Sequence, residues 1–258
     1  NLIEVIRDLS KLPLLLKLMS VCPISDANVE KLLEKLRSKL LMSINESVYP
    51  IEVLRFQSAL ALQCHTNEYI YNQSDDEEKT LNTLEFSVKD SLKNKKQLNP
   101  QMILCLASYK SLSDYEWSNL LKVTNEIKDV FTRQYLEPRE EAILRKKIPL
   151  LSNITDKISS KVKKQYELNP YPRWVNLKLR LKPAPISKII SEIQLKIFDN
   201  KIRDVDVPEI LIAGCGTGQH SIGTATRFKN SKVLAVDLSL SSLGYAKRKT
   251  EELGVQNI

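Results

Sequence analysis

The first glycine of this 258-residue chain is Gly214, and all six glycines fall at or after that position. Glycine is the residue that enters left-handed backbone at no steric cost. A long stretch without it disfavours tight hairpins and suits helices joined by short polar breaks. The chain therefore reads as two grammars, a helical one to about residue 205 and a glycine-punctuated one after it.

The helical grammar can be followed segment by segment. Leu12–Met19 reads as a short packed helix. Ser25-Asp26 precedes an apolar stripe of Leu32, Leu33, Leu36, Leu40 and Leu41 at helical spacing. Pro50 can open the next helix, which buries Val53, Leu54, Leu60 and Leu62. Ser74 with Glu77 three residues on has the form of a capping box, predicting a helix to about Lys95. Pro100 opens a short helix through Ile103 and Leu106. Ser113 with Glu116 repeats the capping pattern. Pro138 is read as the start of a charged helix to about Lys147. Thr155 or Asn153 starts another that ends near Asn169-Pro170, and Ile186 begins one running to about Asn200. The pairing of short helices suggests degenerate helical hairpins, although no clean 34-residue repeat is found.

From Pro208 the periodicity changes. Glu209-Ile210-Leu211-Ile212-Ala213 is a short, mostly apolar run of the kind buried in parallel sheets. A glycine-rich turn follows, then a helix from about Gln219 to Phe228. A second apolar strand, Lys232–Asp237, ends in an acid, and a helix from Ser239 to about Leu253 closes the series. The predicted fold class is α+β by region: an all-helical N-terminal region, then the first β-α-β-α of a Rossmann-like doubly wound parallel sheet. The expected organisation is a helical domain over 1–150, connector helices over 151–205, and the start of the sheet domain over 206–258. Two parallel strands lack the neighbours that normally cover them, so apolar surface is expected on Ile210, Ile212, Val233 or Ala235.

The turn Gly214-Cys215-Gly216-Thr217-Gly218-Gln219 carries the chemistry. Its glycines let the backbone approach a ligand closely, and the N–H groups opening the next helix favour a carboxylate or phosphate. Asp237, at the carboxyl end of the second strand, can accept hydrogen bonds from both hydroxyls of a ribose. The third glycine of a G-x-G-x-x-G dinucleotide fingerprint would fall on Gln219, and no P-loop pattern is present.

The strand Ile210–Ala213 with Gly214-Cys215-Gly216-Thr217-Gly218, and the spacing of Asp237-Leu238-Ser239, Leu243 and Ala246, resemble the first two motifs of class I S-adenosylmethionine-dependent methyltransferases. The resemblance implies S-adenosylmethionine as cofactor. Gly214, Cys215, Gly216, Thr217, Gly218 and Gln219 would lie around its methionine portion, Asp237 would hold the ribose and Leu238 would pack on adenine. The chain departs from that pattern at Ile212, where many members have an acid two residues before the first glycine. A narrower resemblance, on Gln165-Tyr166-Glu167-Leu168-Asn169-Pro170-Tyr171-Pro172-Arg173-Trp174 and Ala213–His220, is to bacterial methyltransferases with helical, often tetratricopeptide-type, N-terminal regions.

Asn169-Pro170-Tyr171-Pro172 differs in order from the N-P-P-Y loop of amino-methyltransferases and follows a helix, not a strand. Two prolines make it a rigid connector that Tyr171 and Trp174 can anchor. The alternative is a lid in which Tyr166, Tyr171, Arg173 and Trp174 cover the cofactor, with Arg173 facing a carboxylate. His220 is read as a helix-start residue or, alternatively, as a base.

The remaining residues narrow the classes. The net charge of +8 comes from scattered clusters (Lys93–Lys96, Arg145–Lys147, Lys161–Lys164, Lys178–Lys182, Lys247–Lys249) interrupted by the acidic run Asp75–Glu78. No aromatic residues alternate with them as in single-strand binders, so solvated helix faces are the simpler reading. Cys22, Cys64, Cys105 and Cys215 are widely spaced with no CxxC pair, as expected of reduced thiols in a cytoplasmic protein without a metal. No apolar run has membrane-spanning length. The first residue is Asn1, inside a periodic pattern, and the last residues stop where another strand is expected. The chain is therefore read as a fragment whose catalytic residues, unknown here, follow Ile258. The methyl acceptor stays open among small molecule, protein and RNA, with a protein partner on the helical region a further expectation. The competing functions are a helical interaction module carrying a noncatalytic nucleotide-binding remnant, and an NAD-dependent oxidoreductase.

Overall fold

The computed structural model describes residues 2–45, 49–152, 155–180, 182–194 and 196–258. Two compact units divide at Arg139 and Glu140.

The first unit is helical: α1 (Leu2–Ser10), α2 (Pro13–Val21), α3 (Ala27–Met42), α4 (Ile51–Thr66), α5 (Asp75–Lys93), α6 (Pro100–Ala107) and α7 (Lys128–Phe131). The local signals explain most of the boundaries. Asp26 caps α3 by accepting from the Asn28 and Val29 amides, and Ser74 and Glu77 form the reciprocal capping box on α5. Pro50 precedes α4, which is buried nearly all round and packs against α1, α2, α6 and α7. A helix buried on every side must satisfy its polar side chains internally. Gln57 donates to the Gln101 carbonyl at 3.0 Å, and Gln134 donates to the carbonyls of Ala61 and Ala107 at 3.0 Å each. Among the described residues no helix is long and apolar enough to cross a membrane.

Four expectations in the helical stretches need correction. Ser113 and Glu116 do not start a helix; they lie in or beside short 3-10 turns, Leu112–Asp114 and Ser118–Leu120, and Ser111 makes the cap instead. Pro138 does not begin its helix. The helical path starts at α7, widens into a π turn at Thr132–Leu136, and continues as α8 (Glu137–Arg145). A proline inside a helix cannot donate to the carbonyl four residues back. That carbonyl, on Gln134, accepts from the Ser111 hydroxyl at 3.1 Å instead, so the wide turn leaves no orphan acceptor. The helix from Ile186 (α10, Ile186–Glu192) stops well short of Asn200, with Gln194 in left-handed backbone. Asp156 caps α9 (Lys157–Leu168), not Thr155; Asn153 lies outside the described residues.

The second unit holds α8 from Glu140 onward, α9, α10 and the sheet region. Strands β1 (Glu209–Ala213) and β2 (Lys232–Val236) pair in parallel, with Ile210 opposite Val233 and Ile212 opposite Ala235. Helix α11 (Gln219–Arg227) makes the crossover, and α12 (Leu240–Glu252) follows β2. These spans agree with the sequence-based β-α-β-α reading. The backbone of Asn257 accepts from the Val233 amide at 2.8 Å, on β2.

The exposed face of the sheet is the opposite of the expected one. Ile212 and Val233 are each only 6% exposed, in a core with Ala225 of α11 and Leu243 of α12, and Ile210 and Ala235 pack against that core. Both helices lie on this one face. Side chains alternate across a strand, so Leu211 and Leu234 on the other face are 64% and 60% exposed.

Candidate functional site

The site is assembled where β1 and β2 end. After Ala213 the chain turns through Gly214, Gly216 and Gly218, all at positive φ (72°, 53° and 88°). The turn is pinned to the neighbouring strand, since the amides of Gly214 and Cys215 both donate to the Val236 carbonyl, at 2.8 and 3.0 Å. A Cβ added at Gly214 or Gly216 would meet nothing within 4 Å, whereas one at Gly218 would sit 2.7 Å from the Ala246 Cβ. The first two glycines therefore keep a space open, and the third allows α11 and α12 to approach.

Asp237 lies at the mouth of this turn. Its Oδ2 accepts from the Gly216 amide at 2.8 Å, and its Oδ1 accepts from the Ser239 amide at 2.9 Å. A carboxylate has about four acceptor positions, so two remain for a ligand's hydroxyls. Leu238, next in the chain, is exposed. Helix α11 starts at Gly218 with no side-chain cap, and Gln219 and His220 are exposed at its open end. Helix starts of this kind attract anions.

Cys215 is part of the turn but a poor nucleophile. Burial, reinforced by the Asp237 charge, pushes its thiol up to about 11. Thiolate, not thiol, is the reactive species. Ile212, two residues before the first glycine, is a core residue packed under α11. Thr217 is buried, and its hydroxyl donates to the Pro172 carbonyl at 2.8 Å.

That bond draws the Asn169–Trp174 segment onto the glycine turn. The Trp174 indole N–H donates to the Thr217 carbonyl at 3.0 Å, the Tyr245 hydroxyl donates to the Trp174 carbonyl, and Lys249 donates to the Val175 carbonyl at 3.0 Å while lying over the indole. Trp174 is thus the anchor of the connector. Tyr171, paired with it in the sequence reading, is exposed and does not share that role; Tyr166 is also exposed. Arg173 is half-buried, with its charge felt by Glu141.

Sequence reasoning missed Glu167. Its carboxylate accepts from the Leu240 amide at 2.6 Å and the Ser241 amide at 3.2 Å, placing an α9 residue at the start of α12. The glutamate stands inside the quoted Gln165–Trp174 motif, but no local spacing links it to a helix more than seventy residues on. Buried Arg248 of α12 likewise pairs with Glu141 of α8 at 2.8 Å, joining α8 to the same framework.

A turn of positive-φ glycines, an uncapped helix start and a strand-end acid thus gather at the carboxyl edge of two parallel strands, the place where open α/β sheets hold their ligands. Residues 210–258 match a family model described as a methyltransferase domain. Comparison with the curated proteins and with the solved structures gives no match.

Proposed function

We propose that the chain belongs to an S-adenosylmethionine-dependent methyltransferase and that the glycine turn and Asp237 form its cofactor site. The observation that carries this reading is the 2.8 Å bond between the Gly216 amide and Asp237 Oδ2, which sets the ribose-type acid at the lip of the turn. The match over residues 210–258, which include the turn and Asp237, supports it.

The residues present fit that cofactor. Asp237 keeps acceptor positions for two ribose hydroxyls, the uncapped start of α11 offers donors to a carboxylate, and Leu238 offers apolar surface to a purine. The open space at Gly214 and Gly216 admits a ligand against the backbone. When bound, S-adenosylmethionine supplies an activated methyl group to a nucleophile. The chain's own contribution is to fix the donor in place and exclude water from one side of it. Trp174 and Thr217 hold the turn in shape for that purpose.

Calorimetry of the chain with S-adenosylmethionine, S-adenosylhomocysteine and NAD tests the assignment. Binding of the first two, lost in Asp237→Ala, is the expected result. Preferential binding of NAD would replace the methyltransferase reading with the oxidoreductase one.

A further inference from the structure

The start of α12 lies beside Asp237, and its donors are already taken. The Ser239 amide donates to Asp237, the Leu240 and Ser241 amides donate to Glu167, and the Ser242 amide donates to the Ser239 hydroxyl at 3.0 Å. The Ser241 hydroxyl adds a further hydrogen bond to Glu167, donating to Oε2 at 2.6 Å. Arg145 lies 3.9 Å from the same carboxylate and donates to the Ser241 hydroxyl at 2.9 Å. Two carboxylates therefore grip three consecutive amides, with a guanidinium behind one of them.

This position has a consequence for ligand choice. On the reading of Asp237 as the ribose acid, a phosphate on a ribose hydroxyl would arrive beside the neighbouring helix start, whose amides and Arg145 would bind it were they not already engaged. Glu167 occupies those amides and Arg145, and it presents negative charge to any phosphate arriving there. Like charges set against each other reject a ligand strongly.

We propose that Glu167 is a specificity-determining residue of the nucleoside site: by filling the start of α12 it restricts the site to adenosine ligands whose ribose hydroxyls carry no phosphate. The inference rests on the reading of Asp237 as the ribose acid. It also places a determinant of selectivity on α9, outside the residues that match the methyltransferase domain. Glu167→Gln keeps an acceptor for the α12 amides and removes the charge. Glu167→Ala removes both and releases Arg145.

The test is calorimetric titration of the unsubstituted chain, Glu167→Gln and Glu167→Ala with S-adenosylhomocysteine and adenosine 2′,5′-bisphosphate. The unsubstituted chain should prefer the first ligand by about 100-fold or more. Glu167→Gln should hold S-adenosylhomocysteine within about three-fold and narrow the preference about ten-fold. An unchanged preference in both variants overturns the proposal, since a purely structural glutamate would weaken both ligands together. Failure of the underlying reading looks different, because then the unsubstituted chain binds neither nucleoside. In that event sulfate-dependent melting still decides: Glu167→Ala, or Glu167→Gln if the alanine variant does not fold, should gain thermal stability from sulfate where the unsubstituted chain does not. An equal sulfate response overturns the proposal as well.

Discussion

The starts of α11 and α12 follow two neighbouring parallel strands in the same unit, yet they are finished in opposite ways. At α11 the N-cap is Gly218, at φ +88° with no side-chain cap. At α12 the first four amides all have acceptors within the chain, Asp237 and Glu167 supplying three of them. A helix start carries unsatisfied donors and a partial positive charge. Leaving them open suits a site that awaits an anion, and filling them with carboxylates suits a position where an anion is to be refused. The contrast is made by a few residues: three glycines on one side, and Asp237, Ser239 and a distant glutamate on the other.

The comparison breaks most sharply at Asp237, the residue shared by both starts. Asp237→Ala should weaken S-adenosylmethionine binding by about 100-fold or more in calorimetry, since hydrogen bonds to a charged group are worth about 1.5–3 kcal/mol each. It should also loosen the Gly216 and Ser239 amides, visible as faster hydrogen exchange.

The glycines separate ligand space from packing space. Gly218→Ala puts a Cβ 2.7 Å from Ala246 at positive φ, and should cost about 2–4 kcal/mol of stability in denaturant unfolding. Gly216→Ala meets no neighbour, and should cost about 1–2 kcal/mol from its backbone alone while obstructing the ligand. Melting and binding should therefore rank the two variants in opposite orders.

Holding the open start in shape is a smaller matter. Thr217→Val removes the donor to the Pro172 carbonyl and should cost about 1 kcal/mol. Because Trp174 contacts the same residue, the loss should appear as a shift in its fluorescence.

The effect at Cys215 is confined to alkaline pH. Its thiol is raised from 9.0 to about 11 in the fold, so its stabilising contribution is complete below pH 9 and lost as pH rises toward 11. Over that window the unfolded thiol ionises before the folded one. Cys215→Ser should flatten that part of the stability profile, and iodoacetamide at pH 8 should modify the native thiol slowly.

What the sequence disclosed follows the range of the interactions. Both strands, the glycine turn and Asp237 are written in local spacing and were readable from it. The bonds between Glu167 and α12 were not, because they join residues separated by 73 and 74 positions. Pro138 misled for a similar reason: the acceptor it leaves is satisfied by Ser111, a residue with no sequence proximity. The bare face of the sheet is not legible in the sequence, because apolar runs in β1 and β2 do not reveal which side both helices will take. Leu211 and Ile212 are equally apolar, and only the crossover decides which is covered.

The contrast between the open start of α11 and the filled start of α12 is tested most directly by amide NMR of the chain titrated with S-adenosylhomocysteine. The signals of Gly216, Gln219 and His220 should move on binding, while those of Leu240 and Ser241, already held by Glu167, should stay nearly still. Movement centred on Leu240 and Ser241 with the glycine turn unaffected would contradict it.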